Sequence, residues 1–186
     1  IGDGMGVNQV LGTEMYLSEL KGEIGVTPLL FTQFPYSTMA TTFSATNGVT
    51  DSAAAGTALA TGKKTKNGAL GVTKDSERVN SVASWAKENG YRVGVSTSVS
   101  IDHATPAAFY AGVTSRNKTY DIAKQFTESE VDIAIGGGLD HFINRPDSLD
   151  LTATLIEKGY DVYLHWERAL YLYHSHVFYI CRIAIL

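Results

Sequence analysis

Short β-type segments alternate with helix-type segments along most of this chain, and that alternation restricts the fold to few choices. Residues 92–98, centred on Val93-Gly94-Val95, read as a strand of the buried type. Residues 131–135 read as a second strand, running into Gly136-Gly137-Gly138, and residues 161–164 as another. Helices are predicted over 8–20, 52–61, 78–88, 120–126 and 151–158. The Ala-rich stretch 52–61 stops at Gly62, a plausible C′ residue. The 78–88 pattern puts Val79, Val82, Trp85 and Ala86 on one face and ends at Asn89-Gly90. A further helix begins at Pro106, with Thr105 as its cap. Residues 36–44 are β-branched and aromatic enough for a strand. Such an order implies an α/β fold: a three-layer sandwich with a mostly parallel central sheet and helices on both faces. Ligands in these sheets sit at the C-terminal ends of the strands.

Composition narrows the function. The 186 residues suit one domain, and a 44% hydrophobic share allows a sizeable core. A net charge of −4 argues against a general nucleic-acid binder. Cys181 has no second cysteine to pair with, and no apolar run reaches membrane-spanning length. The chain opens at Ile1, and Ile1-Gly2-Asp3-Gly4 reads as the tail of a strand. Residues 166–186, rich in Tyr, Ile and Leu, read as an atypical tail. The expectation is a fragment of a longer enzyme, with no signal peptide visible.

Three segments carry candidate chemistry, and all fall at predicted strand ends. Gly2-Asp3-Gly4-Met5-Gly6 is not a dinucleotide fingerprint, because Val7 stands where the third glycine belongs. Nor do Gly56 and Gly62 make a phosphate loop, since Lys64 occupies the Ser/Thr position. What remains is Asp3 held in a glycine turn, either a cap for the next helix or a carboxylate for a hard or borderline cation. Asp51-Ser52 sets a carboxylate beside a hydroxyl at a helix start. Capping alone is the commonest reading of such a pair. The other reading is a nucleophile, since free helix N–H groups and a neighbouring base or metal lower the cost of an alkoxide. The third segment joins Asp102, His103 and Thr105 to Arg116 a few residues on. Singly, these are a surface histidine, an N-cap and a solvated charge. Together they offer an imidazole, a hydroxyl and a planar fork shaped for phosphate.

In order and wording these segments resemble the alkaline phosphatase family. Ile1-Gly2-Asp3-Gly4-Met5-Gly6 is similar to that family's first metal-binding turn. Val49-Thr50-Asp51-Ser52-Ala53-Ala54, continued by residues 61–71, is similar to its nucleophile segment. His103-Ala104-Thr105-Pro106-Ala107-Ala108 and Val113-Thr114-Ser115-Arg116 are similar to its magnesium and phosphate segment, and Gly136-Gly137-Gly138 to its strand-end glycines. The resemblance covers roughly residues 1–145.

It implies hydrolysis of phosphate monoesters through a phosphoserine, with Zn2+ and Mg2+. Asp3 is implied as a zinc and magnesium ligand, Ser52 as nucleophile and zinc ligand, Thr105 as a magnesium ligand and Arg116 as the phosphate grip. His103 stands where the family varies between Asp and His and tunes the third metal site. The resemblance also implies a homodimer for the full-length protein, and a periplasmic or extracellular location.

The chain departs from that pattern in one respect. Alkaline phosphatases complete their metal sites with Asp, His and Glu from a C-terminal half. The later histidines here are His141, His165, His174 and His176, none in such a motif, and His174-Ser175-His176 reads as incidental. The expected fold is therefore an incomplete version of the family sandwich, over residues 1–165. Two alternatives stand beside a phosphomonoesterase. One is a phosphodiester or sulfate ester hydrolase of the same superfamily, which Ser52 disfavours because those relatives generally use Thr or a modified Cys. The other is an inactive fragment that binds an anion or one metal.

Overall fold

Val93, Val95, Ala134 and Val162 join the hydrophobic core from one face of a four-stranded sheet. The computed structural model describes residues 1–165 and 177–181. It divides into two units, Ile1–Thr41 and Thr42–Leu186.

In the first unit, Gly4 (φ +66°) turns the chain into helix α1, Val7–Leu20. The Gln9 side chain accepts the Gly6 N–H at 3.1 Å, so an amide caps this helix start. Glu14 then fastens the returning chain, accepting from Leu29 N–H at 2.9 Å and from the Thr32 hydroxyl at 2.6 Å. The Thr32 and Leu29 bonds hold its carboxyl below the usual range.

The second unit holds α2 (Ser52–Thr61), α3 (Val82–Glu88), β1 (Gly94–Ser100), α4 (Ala104–Ala107), α5 (Thr119–Phe126), β2 (Ile133–Gly137), α6 (Asp140–Ile143), α7 (Leu151–Glu157), β3 (Asp161–His165) and β4 (Val177–Cys181). The strands lie in the order β1-β2-β4-β3. β1 and β2 pair in parallel, while β4 runs antiparallel to both β2 and β3. Hence β1, β2 and β3 share one direction. The α/β fold with a mostly parallel, open sheet is as expected. Of the expected tail 166–186, residues 177–181 form β4; His174 and His176 lie outside the described residues.

Small residues let α2 and α4 approach closely. A Cβ on Gly56 would stand 3.2 Å from the Ala108 Cβ and 3.5 Å from the Thr105 Cα. Ala53, Ala60, Ala104 and Ala107 are buried around that contact. Deeper in, Phe126 meets Tyr110 edge-on at 5.2 Å and Phe142 at 6.0 Å between ring centres. Burying each such ring contributes about 1.5–3 kcal/mol.

Several sequence expectations are corrected. Residues 36–44 form no strand: no strand among the described residues pairs with them, and β-type composition acts only on a shared pleated surface. β1 is not buried on both faces. It is an edge strand, and Gly94, Ser96 and Ser98 are exposed. The sheet face that includes Gly94 and Ile133 leaves Ile133 46% exposed. The helix expected from 78 starts at Val82, because the Ser81 hydroxyl oxygen accepts from Ser84 N–H while Val79 N–H donates to Gly71 O at 3.0 Å. β2 begins at Ile133, since the Asp132 side chain is engaged elsewhere, by Lys87, Arg92 and Val93 N–H. Thr105 is not the cap of α4; His103 is, and Pro106 lies within the first turn, where its missing N–H costs nothing.

Candidate active site

Asp51 takes the capping role at α2: its Oδ1 accepts the Ala54 N–H at 2.9 Å. Ser52 is therefore the first helical residue rather than the cap, at the positive end of a ten-residue helix. The other Asp51 oxygen accepts the Gly68 N–H at 2.9 Å. Asn67 brackets the same segment, accepting from Asp51 N–H at 3.3 Å and donating to Val49 O at 3.0 Å. So the loop after α2 folds back to hold the residues just before Ser52. Gly68 allows this because its φ is +84°.

Arg116 arrives from beyond α4. Its backbone N–H donates to Gly68 O at 2.6 Å, and its Nη1 lies 3.4 Å from Asp51 Oδ2. Its Nη2 lies 3.2 Å from His103 Nε2. A guanidinium only donates, so His103 Nε2 accepts and the ring proton sits on Nδ1. That Nδ1 is buried without a hydrogen-bond partner. Both the Arg116 and Asp51 side chains keep roughly a quarter of their surface in water, 29% and 25%. Thr105 is half-buried on α4, whose backbone packs on Gly56 of the Ser52 helix.

The structure therefore brings Asp51, Arg116 and His103 into contact and sets Ser52 beside Asp51. Asp3 belongs to the first unit, in the turn before α1. Among the described residues there is no group of three or more His, Cys, Asp or Glu that could hold a metal ion. One contributor and one pairing escape sequence reasoning. Asn67 gives no chemical signal on its own. Asp102 is buried and paired with His141 Nδ1 at 2.6 Å, an arrangement hidden by their separation in sequence.

A family model for alkaline phosphatase matches residues 1–177. The chain belongs to the alkaline phosphatase family. Asp3, Ser52, His103, Thr105 and Arg116 all fall inside the matched span. Alkaline phosphatase 4 of Bacillus subtilis (strain 168) is 42% identical over 128 residues, 66% of this chain and 27% of that protein. Alkaline phosphatase 4 of Drosophila melanogaster is 36% identical over 165 residues, 75% of this chain and 28% of that protein. Among solved structures, alkaline phosphatase from the Antarctic bacterium TAB5 superposes with a TM-score of 0.74 at 39% identity, over 86% of this chain and 44% of that one. A histidine-to-aspartate mutant of the TAB5 enzyme, with Mg bound in its M3 site, gives a TM-score of 0.70. The chain thus spans less than half the length of these alkaline phosphatases, and under a third of the two curated relatives. No helix among the described residues is long and apolar enough to cross a membrane.

Proposed function

We propose that these residues form part of a phosphomonoesterase site in which Ser52 is the nucleophile and Arg116 grips the substrate phosphate. The observation that carries the reading is the Arg116–Asp51 contact of 3.4 Å at the head of the helix that Ser52 begins. A phosphate dianion repels an ordinary nucleophile. Here a guanidinium and the positive end of α2 offset that repulsion from two directions. Ser52 Oγ forms a bond to phosphorus as the ester oxygen departs with its electron pair, and the serine proton leaves to solvent or to the departing oxygen. Water then cleaves the phosphoserine and returns the hydroxyl. Arg116 keeps its charge through both halves and holds two non-bridging oxygens in line.

The family resemblance is what supports a metal role for these residues. Asp3, Ser52 and Thr105 would supply oxygen ligands of the kind a hard cation takes, whereas His103, with Nε2 on Arg116 and its proton on Nδ1, offers no free lone pair as it stands. Ligands beyond these residues complete the coordination. Bound zinc and magnesium lower the cost of the serine alkoxide and of the leaving oxygen. His103 acts in this scheme by fixing the Arg116 fork, and tunes the third metal site. The substrates are phosphate monoesters and the product is inorganic phosphate. The full-length protein works as a homodimer in a periplasmic or extracellular setting, with residues 1–165 as the catalytic part and 166–186 a tail.

The test is turnover of p-nitrophenyl phosphate during zinc and magnesium titration, beside bis(p-nitrophenyl) phosphate and p-nitrophenyl sulfate. Metal-dependent release from the monoester, abolished by EDTA, supports the reading. Preference for the diester or the sulfate refutes it, as does metal and phosphate binding with no turnover when the chain is assayed within its full-length protein.

A further inference from the structure

We propose that Asp102 and His141 form a positioning pair that fixes the loop bearing His103 and Thr105, and so the orientation of the Arg116 fork. The proposal rests on the phosphatase reading for its consequence in binding, and on geometry alone for its consequence at His103. The Asp102 side chain is completely buried, and its Oδ2 lies 2.6 Å from His141 Nδ1. That approach is a close polar contact rather than an aligned hydrogen bond, and Asp102 Oδ1 has no hydrogen-bond partner at all. A carboxylate taken wholly out of water needs a compensating group, and among the described residues His141 is the one paired with it.

Gly138 bounds the carboxylate's seat on another side. A Cβ on Gly138 (φ +96°) would fall 2.6 Å from Asp102 Oδ1 and 2.7 Å from the Ser100 Cβ. The strand-end glycine therefore serves to admit this side chain. On the side before Asp102 the chain is tied by Ile101 N–H to Gly137 O at 2.9 Å and by the Tyr110 hydroxyl to Ile101 O at 2.7 Å, and after it by His103 N–H to Ser100 O at 3.0 Å.

His141 is itself held. Arg145 donates one Nη1 to His141 O at 3.0 Å and to Tyr120 O at 2.9 Å. The imidazole stands edge-on to the Tyr120 ring at 5.3 Å. A short chain of contacts thus runs from Arg145 and Tyr120 through His141 to Asp102. From there it passes to the next residue, His103, whose Nε2 meets Arg116 at 3.2 Å. Partners one step removed from a metal or anion site orient it, and losing them costs about 10–100-fold in affinity.

The variants His141→Phe and His141→Asn separate positioning from packing. Phenylalanine keeps the ring against Tyr120 but removes the nitrogen. Asparagine loses the ring but can place its amide near the Nδ1 position. If the phenylalanine variant does not fold, His141→Gln gives the same contrast, because its amide overshoots to the Nε2 position. The first readout is the ¹⁵N spectrum of the His103 imidazole without ligand. The second is calorimetric titration with inorganic phosphate and with Mg2+ of the full-length protein. The expected result is a displaced His103 resonance and about 10–100-fold weaker binding in His141→Phe, both largely restored in His141→Asn. An unmoved His103 spectrum in His141→Phe, or equal losses in the phenylalanine and asparagine variants, overturns the proposal. If the parent binds no phosphate while His103 responds as expected, the pair stands and the phosphatase reading falls.

Discussion

Arg116 reaches the Asp51 carboxylate, 3.4 Å from Nη1 to Oδ2, and Asp51 also caps the helix that Ser52 begins. One carboxylate therefore registers a helix N-terminus against a guanidinium 65 residues further along the chain. A guanidinium has five N–H donors, so contacts to Asp51 and His103 leave others for an anion. Replacing Arg116 by Ala should remove a charge-assisted, two-pronged grip worth about 1.5–3 kcal/mol. The expected outcome is about 10–100-fold weaker binding of inorganic phosphate by calorimetry, with a smaller change in Mg2+ affinity. Equal loss of both would place Arg116 in the metal framework instead.

Asp51→Ala should destabilise the second unit by about 2–3 kcal/mol, since it removes an N-cap and orphans the Gly68 N–H. Asp51→Asn keeps an oxygen for the cap and should cost about 1 kcal/mol less. Urea unfolding of both variants checks the difference.

Gly71 and Gly62 form a matched pair for testing backbone strain. Both have positive φ, +61° and +69°. A Cβ on Gly71 would lie 1.8 Å from Ala111 O, whereas nothing stands near one on Gly62. Gly62→Ala should cost about 1 kcal/mol, the ordinary penalty of a left-handed alanine. Gly71→Ala should cost about 3 kcal/mol or more, because the Leu70–Val113 bridge beside it must open. Denaturation midpoints of the two variants measure the gap.

Asp132 sets a pH dependence. Burial alone would raise its carboxyl, but hydrogen bonds from Lys87, Val93 N–H and Arg92 outweigh burial and hold it below the usual range. A carboxyl lowered by folding contributes stability above its unfolded pKa of about 4, and that contribution is lost as pH falls through the folded value. Asp132→Asn should cost about 2–4 kcal/mol at neutral pH, with a flatter stability profile below about pH 4 than the parent. Unfolding curves across that range would show parallel profiles if the ion pairs contribute nothing.

Helices 8–20, 52–61 and 120–126 could be read from the sequence to within one residue; at 52–61 the Asp51 cap and the Gly62 stop bracket the segment. The strand expected over 36–44 failed for want of a partner, which no local propensity reveals. Val79 was assigned to a helix face because its spacing fitted, yet Ser81 offered the better cap and the residues before it went to a β-bridge. At the candidate site, Asp51, Ser52, His103, Thr105 and Arg116 were singled out by the order and wording of their segments, since each alone reads as a cap or a surface group. Asp102 was legible as a candidate carboxylate, but its pairing with His141 was not, because the two are brought together only by the fold. Asn67 works through two backbone groups, which leaves no mark in a sequence.

The central claim is that Ser52 becomes phosphorylated. The most direct measurement is acid quenching of the zinc- and magnesium-loaded full-length protein with a ³²P-labelled phosphomonoester, followed by peptide mass spectrometry. The account predicts a labelled phosphoserine at residue 52 in the parent and no label in Ser52→Ala. Label retained in Ser52→Ala, or turnover of the monoester with no trapped phosphate on the parent, would contradict it.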